Sequence, residues 1–437
     1  KVSRLKSSVL RSEALVRLIG TASNGGAIFN QSTGLSATAL TVCQRQEMET
    51  GFTAVRLLLV NRANVAMNAN KALIGVTETA AVDTSANMGS PVIGGVAYQT
   101  VAGATSINGW RAPTWATAAT VDIPAATAAQ TFALSDWTPI QEVPRADGGT
   151  RPLLLWSTYH DGATQGNFSF NVYTQTGADA PVVPLPAMRE RVYSAATNFG
   201  DAVADPTRSM ALANTIIPCA PIVRFKRPVL SVWGIGDSTM QNNSQAPEGL
   251  SAWGMRACAE VSTPSVPVVW ANLGAASRKF IEFWPVVESY LAAGVPPPSV
   301  FLVEAASTND VGTTVSLRSE ELQLQQASAV LATAAKYGVP YVIFVPLMPY
   351  NALDAAKDTI RQEVNAKIEE LASIYGCQVL DFYSLGTDAL PQRWIPSYND
   401  GLGTGPNDGI HPDETAFDAV MAPRCASMLR SILGIGA

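Results

Sequence analysis

The run Val229-Leu230-Ser231-Val232-Trp233-Gly234-Ile235-Gly236-Asp237-Ser238-Thr239 decides how the chain is read. Its first five residues are almost wholly apolar, as in a strand covered on both faces, and the glycines then allow a tight turn that ends at a serine. The same grammar repeats downstream. Apolar strand runs are expected at residues 268–271, 300–305, 341–345 and 378–382, each followed by a longer segment, several of them amphipathic. The clearest helix is expected at 355–375, where Ile360, Val364, Ile368, Leu371 and Tyr375 recur every three or four residues and Gly376 marks the stop. Gly294 and Gly338 close two further helices in the same way. Alternating strands and helices with apolar strands imply an α/β fold: a parallel five-stranded sheet in a three-layer α/β/α domain over 226–437. Ligands in such sheets bind at the carboxyl ends of the strands, where Ser238 falls.

Upstream the grammar differs. Short β-runs at 53–60, 72–77, 153–159, 167–174 and 216–225 alternate with turn clusters such as Asp147-Gly148-Gly149 and Asp205-Pro206. Residues 21–225 are therefore expected to form a mostly antiparallel β-sandwich-like domain. Residues 1–20 read as a helical linker, with Leu5, Val9, Leu10 and Leu15 on one side. Trp110, Trp115, Trp137 and Trp156 read as core.

Composition narrows the function. Of 437 residues, 47% are hydrophobic and only 15% charged, against about 25% charged in ordinary globular chains. No run nears the ~18 apolar residues of a membrane span, and the basic N-terminus never gives way to the apolar core of a signal peptide. Because the chain opens at Lys1, an export signal removed upstream is compatible with it, and an extracellular, cell-surface or virion-associated location is expected. Residues 1–225 carry 16 Lys/Arg and 14 Asp/Glu, the remainder 13 and 21. An acidic C-terminal half argues against a nucleic-acid partner, which needs clustered cations. Five cysteines without a CxxC pair and two histidines give too few ligands for structural zinc, so no metal or cofactor is expected. Buried free thiols are the expectation, with a Cys43–Cys219 bridge left open.

Gly-Asp-Ser is common in ordinary turns, so Ser238 gains meaning only with a base. Of His160 and His411, the first has no carboxylate neighbour but Asp161 and reads as a surface or satisfied histidine. His411 lies in Asp408-Gly409-Ile410-His411-Pro412-Asp413, and Asp408, three residues earlier, can fold back onto its Nδ1 while Nε2 faces a serine. Asp413 also reads as a helix N-cap, which would fix the same loop. Donors for an oxyanion come from the ends of two neighbouring strands: Gly274 in Ala271-Asn272-Leu273-Gly274, and Asn309 in Ser307-Thr308-Asn309-Asp310.

These four blocks, in this order and at these places, resemble the SGNH hydrolases, also called GDSL esterases. The resemblance covers residues 228–434. It implies Ser238 as nucleophile, His411 as base and Asp408 as its orienter, with Ser238, Gly274 and Asn309 forming the oxyanion hole. Thr239 stands where the name-giving pattern has Leu, and Ser307 where the third block has Gly. Trp394 and Tyr398, in the loop that delivers His411, are candidates for substrate binding, with loop anchoring as the plain alternative. The expected activity is removal of O-acetyl groups from a carbohydrate. A broad carboxylesterase or lipase is the runner-up, and a glycan-binding structural protein with an auxiliary esterase domain is the reading from another class.

Overall fold

The computed structural model describes residues 9–16, 39–61, 66–78, 92–93, 96–97, 110–125, 131–161, 219–241, 253–274, 278–311, 320–349, 351, 353–388, 391–398 and 409–434. They fall into two compact units, one chiefly Ala27–Val229 with Ser12–Val16, the other chiefly Leu230–Ala437.

The strands of the first unit are β1 (Arg11–Leu15), β2 (Ala39–Glu47), β3 (Phe52–Asn61), β4 (Met67–Thr77), β5 (Val92–Ile93), β6 (Val96–Ala97), β7 (Val121–Ile123), β8 (Thr131–Leu134), β9 (Thr138–Pro139), β10 (Leu153–Asp161) and the start of β11 (Cys219–Gly236). They make antiparallel sheets. One has the order β2-β10-β4-β7, with the apolar run of β10 at its centre. In the other, β3 pairs with β8, with β9 and with residues 219–225 of β11. Leu73, Trp110, Leu155 and Tyr159 pack as one core cluster. Trp115 and Trp156 are also buried, whereas Trp137 is half-buried, with the guanidinium of Arg224 4.4 Å from its ring centre. The β-run expected at 167–174 lies outside the described residues.

One expectation is overturned, and an alternative left open is closed. Residues 11–15, read as part of a helical linker, form strand β1. The Val16 amide donates to the Pro221 carbonyl at 2.9 Å, and Glu13 pairs with Arg224 at 2.8 Å. Four apolar residues in a polar stretch gave a weak helical stripe, and pairing with β11, some 200 residues away, overrides it. The Cys43–Cys219 bridge is not formed. Cys219 is a free, buried thiol opposite Leu59 in one sheet, while Cys43 sits opposite Ser157 in the other.

In the second unit, the end of β11 is joined by β12 (Val268–Gly274), β13 (Val300–Glu304), β14 (Tyr341–Val345) and β15 (Gln378–Val379), in the order β12-β11-β13-β14-β15 with every pair parallel. The last strand is shorter than the run expected at 378–382: it ends at Val379, the Leu380 amide still donates to the Phe344 carbonyl at 2.9 Å, and a 3-10 helix follows at Tyr383–Leu385. Helix Trp253–Val261 packs on helix Ala422–Leu433, and helix Glu320–Tyr337 packs on Phe280–Ala292 and Ala355–Tyr375. The helix at Ala355–Tyr375 has both ends built as its sequence demands. The Asp354 side chain accepts from the Lys357 amide, and Gly376 closes it at φ 67°.

Two glycines leave room for one large ring beneath the Ser238 turn. A Cβ at Gly234 would stand 2.0 Å from Cη2 of the buried Trp270, and one at Gly254 2.5 Å from the same atom. Gly234→Ala is thus expected to destabilise this unit by about 1–3 kcal/mol through overpacking, seen as a lower urea midpoint at unchanged slope.

Candidate active site

Strand β11 ends at Gly236, and the helical turn Ser238–Gln241 begins two residues later, so Ser238 stands on the bend at the carboxyl edge of the sheet. The last residue of the neighbouring strand, Gly274, is in register with Gly236. The other partner of the bend is the short helix Thr308–Val311 after β13. Three strand ends therefore converge on one edge.

His411 arrives from the far end of the chain. Its Nε2 lies 2.7 Å from the Ser238 Oγ, and both residues are buried. Several backbone bonds hold the His411 loop in place. Gly409, at φ 73°, accepts from the Asn351 amide at 2.8 Å, and the Asp413 amide donates to the Tyr398 carbonyl at 2.9 Å. Asp413 in turn caps the next helical segment, its Oδ1 accepting from the Ala416 amide at 2.9 Å. The cap and the histidine placement coexist on one loop. Asp408 lies outside the described residues.

Asp237, fully buried, ties the Ser238 bend to the Asn309 turn. Its Oδ1 accepts from the Thr239 amide at 2.9 Å and the Thr239 hydroxyl at 3.1 Å. Its Oδ2 accepts from the Ser307 hydroxyl at 2.8 Å and the Thr308 amide at 2.8 Å. The two positions that depart from the SGNH pattern, Thr239 and Ser307, thus both bind Asp237. Asp310 Oδ2 accepts from the Ser307 and Phe280 amides at 3.1 Å each and so holds the turn from its other side.

The two expected oxyanion donors are at the edge but engaged. The Gly274 amide donates to Asn272 Oδ1 at 2.9 Å. Asn309 Nδ2 donates to the Arg278 carbonyl at 3.2 Å and lies 3.3 Å from Asp237 Oδ2. Catalytic hydrogen bonds are often made only once a substrate is bound.

Among solved structures, the chain is similar to a member of the lipolytic protein G-D-S-L family from Veillonella parvula, at 18% identity over 46% of this chain and 96% of that one, with a TM-score of 0.35. A family two carbohydrate esterase from Clostridium thermocellum in complex with cellohexaose is similar at 11% identity over 91% of this chain and 92% of that one, TM-score 0.36. Another family two carbohydrate esterase, from Cellvibrio japonicus, is similar at 9% identity over 97% and 96%, TM-score 0.36. These are GDSL-type and carbohydrate-esterase structures. No protein-family model matches the sequence, and no curated protein matches it.

Trp394 is 2% exposed, a burial that fits the plain alternative of loop anchoring. Its amide donates to Asn351 Oδ1 at 2.9 Å, tying it to the residue that also holds Gly409. Tyr398 is half-buried beside the His411 loop through its carbonyl.

Two groups escaped the sequence reading. The first is Glu304, the last residue of β13 and buried. Its Oε2 accepts from the Asp237 amide at 2.7 Å, and its Oε1 meets the Thr239 hydroxyl. Burial and the nearby Asp237 charge push its carboxyl well above the ordinary value of 4.5. A lone Glu in the apolar run Val300-Phe301-Leu302-Val303-Glu304 was the available signal. The second is the buried pair Asp358–Arg361, 2.8 Å apart on helix Ala355–Tyr375. Arg361 donates to the Leu347 carbonyl at 2.9 Å and to Gln392 Oε1 at 2.5 Å, and Asp358 accepts from the Gln392 amide at 2.7 Å. The pair fastens both the loop after β14 and the loop that leads to Trp394. Among the described residues no group of three or more His, Cys, Asp or Glu could hold a metal ion, and no helix is long and apolar enough to cross a membrane.

Proposed function

We propose that residues 226–437 are a serine esterase of the SGNH type, acting through a covalent acyl-enzyme. The 2.7 Å approach of His411 Nε2 to Ser238 Oγ at the carboxyl edge of a parallel sheet carries this reading. His411 takes the hydroxyl proton as Ser238 Oγ bonds to the ester carbonyl carbon. The oxyanion is met by the amides of Ser238 and Gly274 and by Asn309 Nδ2, the last two exchanging their present acceptors for the substrate oxygen. Protonated His411 then gives its proton to the leaving alcohol. Water repeats the two steps and releases the acid, and Asp408 orients the imidazole throughout. The chemistry calls for no cofactor.

The preferred ester is an O-acetyl group on a carbohydrate, with residues 21–225 as a β-sandwich accessory domain and the protein acting outside the cell or on a virion. A buried serine and a buried histidine favour a small acyl group. Hydrolysis of p-nitrophenyl acetate is expected to exceed that of the octanoate in kcat/KM, with acetate released from acetylated polysaccharide. A clear preference for the octanoate would replace the deacetylase reading with that of a lipase.

A further inference from the structure

The buried carboxyls Glu304 and Asp237 meet beneath Ser238, and hydrogen counting assigns them different states. Asp237 accepts from amide N–H groups on both oxygens, Thr239 on Oδ1 and Thr308 on Oδ2, which is the pattern of a carboxylate. Glu304 accepts an amide on Oε2 alone. The two carboxyls also approach each other directly, and the Thr239 hydroxyl touches both, at Glu304 Oε1 and at Asp237 Oδ1. One hydroxyl hydrogen cannot serve two carboxylates. If Glu304 carries a proton on Oε1, the chain closes: Glu304 O–H donates to Thr239 Oγ1, and Thr239 O–H donates to Asp237 Oδ1.

We propose that Glu304 is a positioning residue that works as a neutral acid, its proton completing the Glu304–Thr239–Asp237 chain that holds the Ser238 bend in place. The inference rests on the reading of Ser238 as nucleophile. The close fit agrees with it, since a Cβ at Gly236 would stand 2.2 Å from Glu304 Oε2, so the carboxyl lies directly against the backbone just before the bend. Among the described residues the charge that acts on Glu304 is that of Asp237. Asp310 Oδ2 accepts from the Ser307 and Phe280 amides, and His411 Nε2 faces the Ser238 hydroxyl. Removing the Glu304 proton would set two buried negative charges against each other.

The direction of the pH effect follows. A carboxyl whose pKa is raised on folding contributes stability that is whole below its ordinary value of 4.5 and is lost as pH climbs toward the folded-state value. Glu304→Gln keeps the shape, a donor for Thr239 and an acceptor for the Asp237 amide, but cannot ionise. The full chain, as wild type, Glu304→Gln, Glu304→Ala and Ser238→Ala, is followed in two ways. Thermal midpoints are measured from about pH 5 to about pH 10, and Ser238 reactivity is read over the same range by p-nitrophenyl acetate turnover and fluorophosphonate labelling. Expected are a wild-type midpoint that falls with pH relative to Glu304→Gln, and a kcat that declines at the alkaline end only in wild type. Glu304→Gln should stay within about threefold of wild type at pH 7, and Glu304→Ala should lose more than about tenfold in kcat with KM little changed. Parallel midpoint curves for wild type and Glu304→Gln, or a Glu304→Gln protein as impaired as Glu304→Ala, would overturn the proposal. If Ser238→Ala retains full turnover, the esterase reading of Ser238 falls on its own, while the midpoint curves still decide where the proton sits.

Discussion

Ser238→Ala is expected to lower kcat on p-nitrophenyl acetate by at least about ten-thousand-fold while leaving the thermal midpoint within a few degrees of wild type. The size follows from the acyl-enzyme route. Without Oγ there is no atom to receive the acyl group, and His411 is left with only water to activate, so the residual rate comes from binding and oxyanion donors alone. The small stability change follows from what is lost. Ser238 loses one hydroxyl bonded to His411, whereas the bend itself is held by Asp237, Thr239 and Glu304, which remain. Turnover and mass spectrometry of the fluorophosphonate adduct check it together. A variant that keeps even a few per cent of activity, or a wild-type adduct on another residue, would remove Ser238 from the mechanism.

Asp358→Ala should have the largest effect on stability, about 3–5 kcal/mol, measured as a fall in the urea midpoint of the second unit. Arg361 is 2% exposed and Asp358 is wholly enclosed, so the substitution leaves a guanidinium charge buried without its counter-charge. It also strips acceptors from the Gln392 amide at 2.7 Å and from Gln362 Nε2 at 2.9 Å. Asp358→Asn keeps the shape but not the charge and should be intermediate. Loss of less than about 1 kcal/mol in the alanine variant would mean that water reaches Arg361 and that the pair behaves as an exposed one.

What could be read in the sequence depended on the range of the interaction. Helix Ala355–Tyr375 was legible because its periodic residues and its terminal glycine are local signals, although Tyr375, read into the apolar stripe, is exposed. The strand runs from 229 onward were legible because apolar residues in short blocks between glycines have few alternatives in an alternating pattern. Residues 11–15 were misread for the converse reason, since their conformation is set by β11 and not by their own propensities. Trp394 could not be told from a sugar platform, because an aromatic residue in a loop has the same letter whether it faces inward or outward. Glu304 was passed over because a strand pattern records that a residue is charged without saying what it touches; its partners, Asp237 and Thr239, lie more than 60 residues away. Bonds such as that from the Gly274 amide to Asn272 depend on a local turn geometry that spacing alone does not determine.

The space that Gly234 and Gly254 leave for Trp270 has a consequence for how such a sequence can change over time. The three residues come from different elements, a strand, a helix and a second strand, yet none can vary on its own terms. A side chain at 234 or 254 becomes tolerable only after residue 270 has shrunk, whereas a smaller residue at 270 first opens a cavity beneath the Ser238 bend. Either first step carries a loss, and only their combination recovers it. The trio is thus an epistatic lock, and drift at these positions must proceed in pairs, in a favourable order, or not at all.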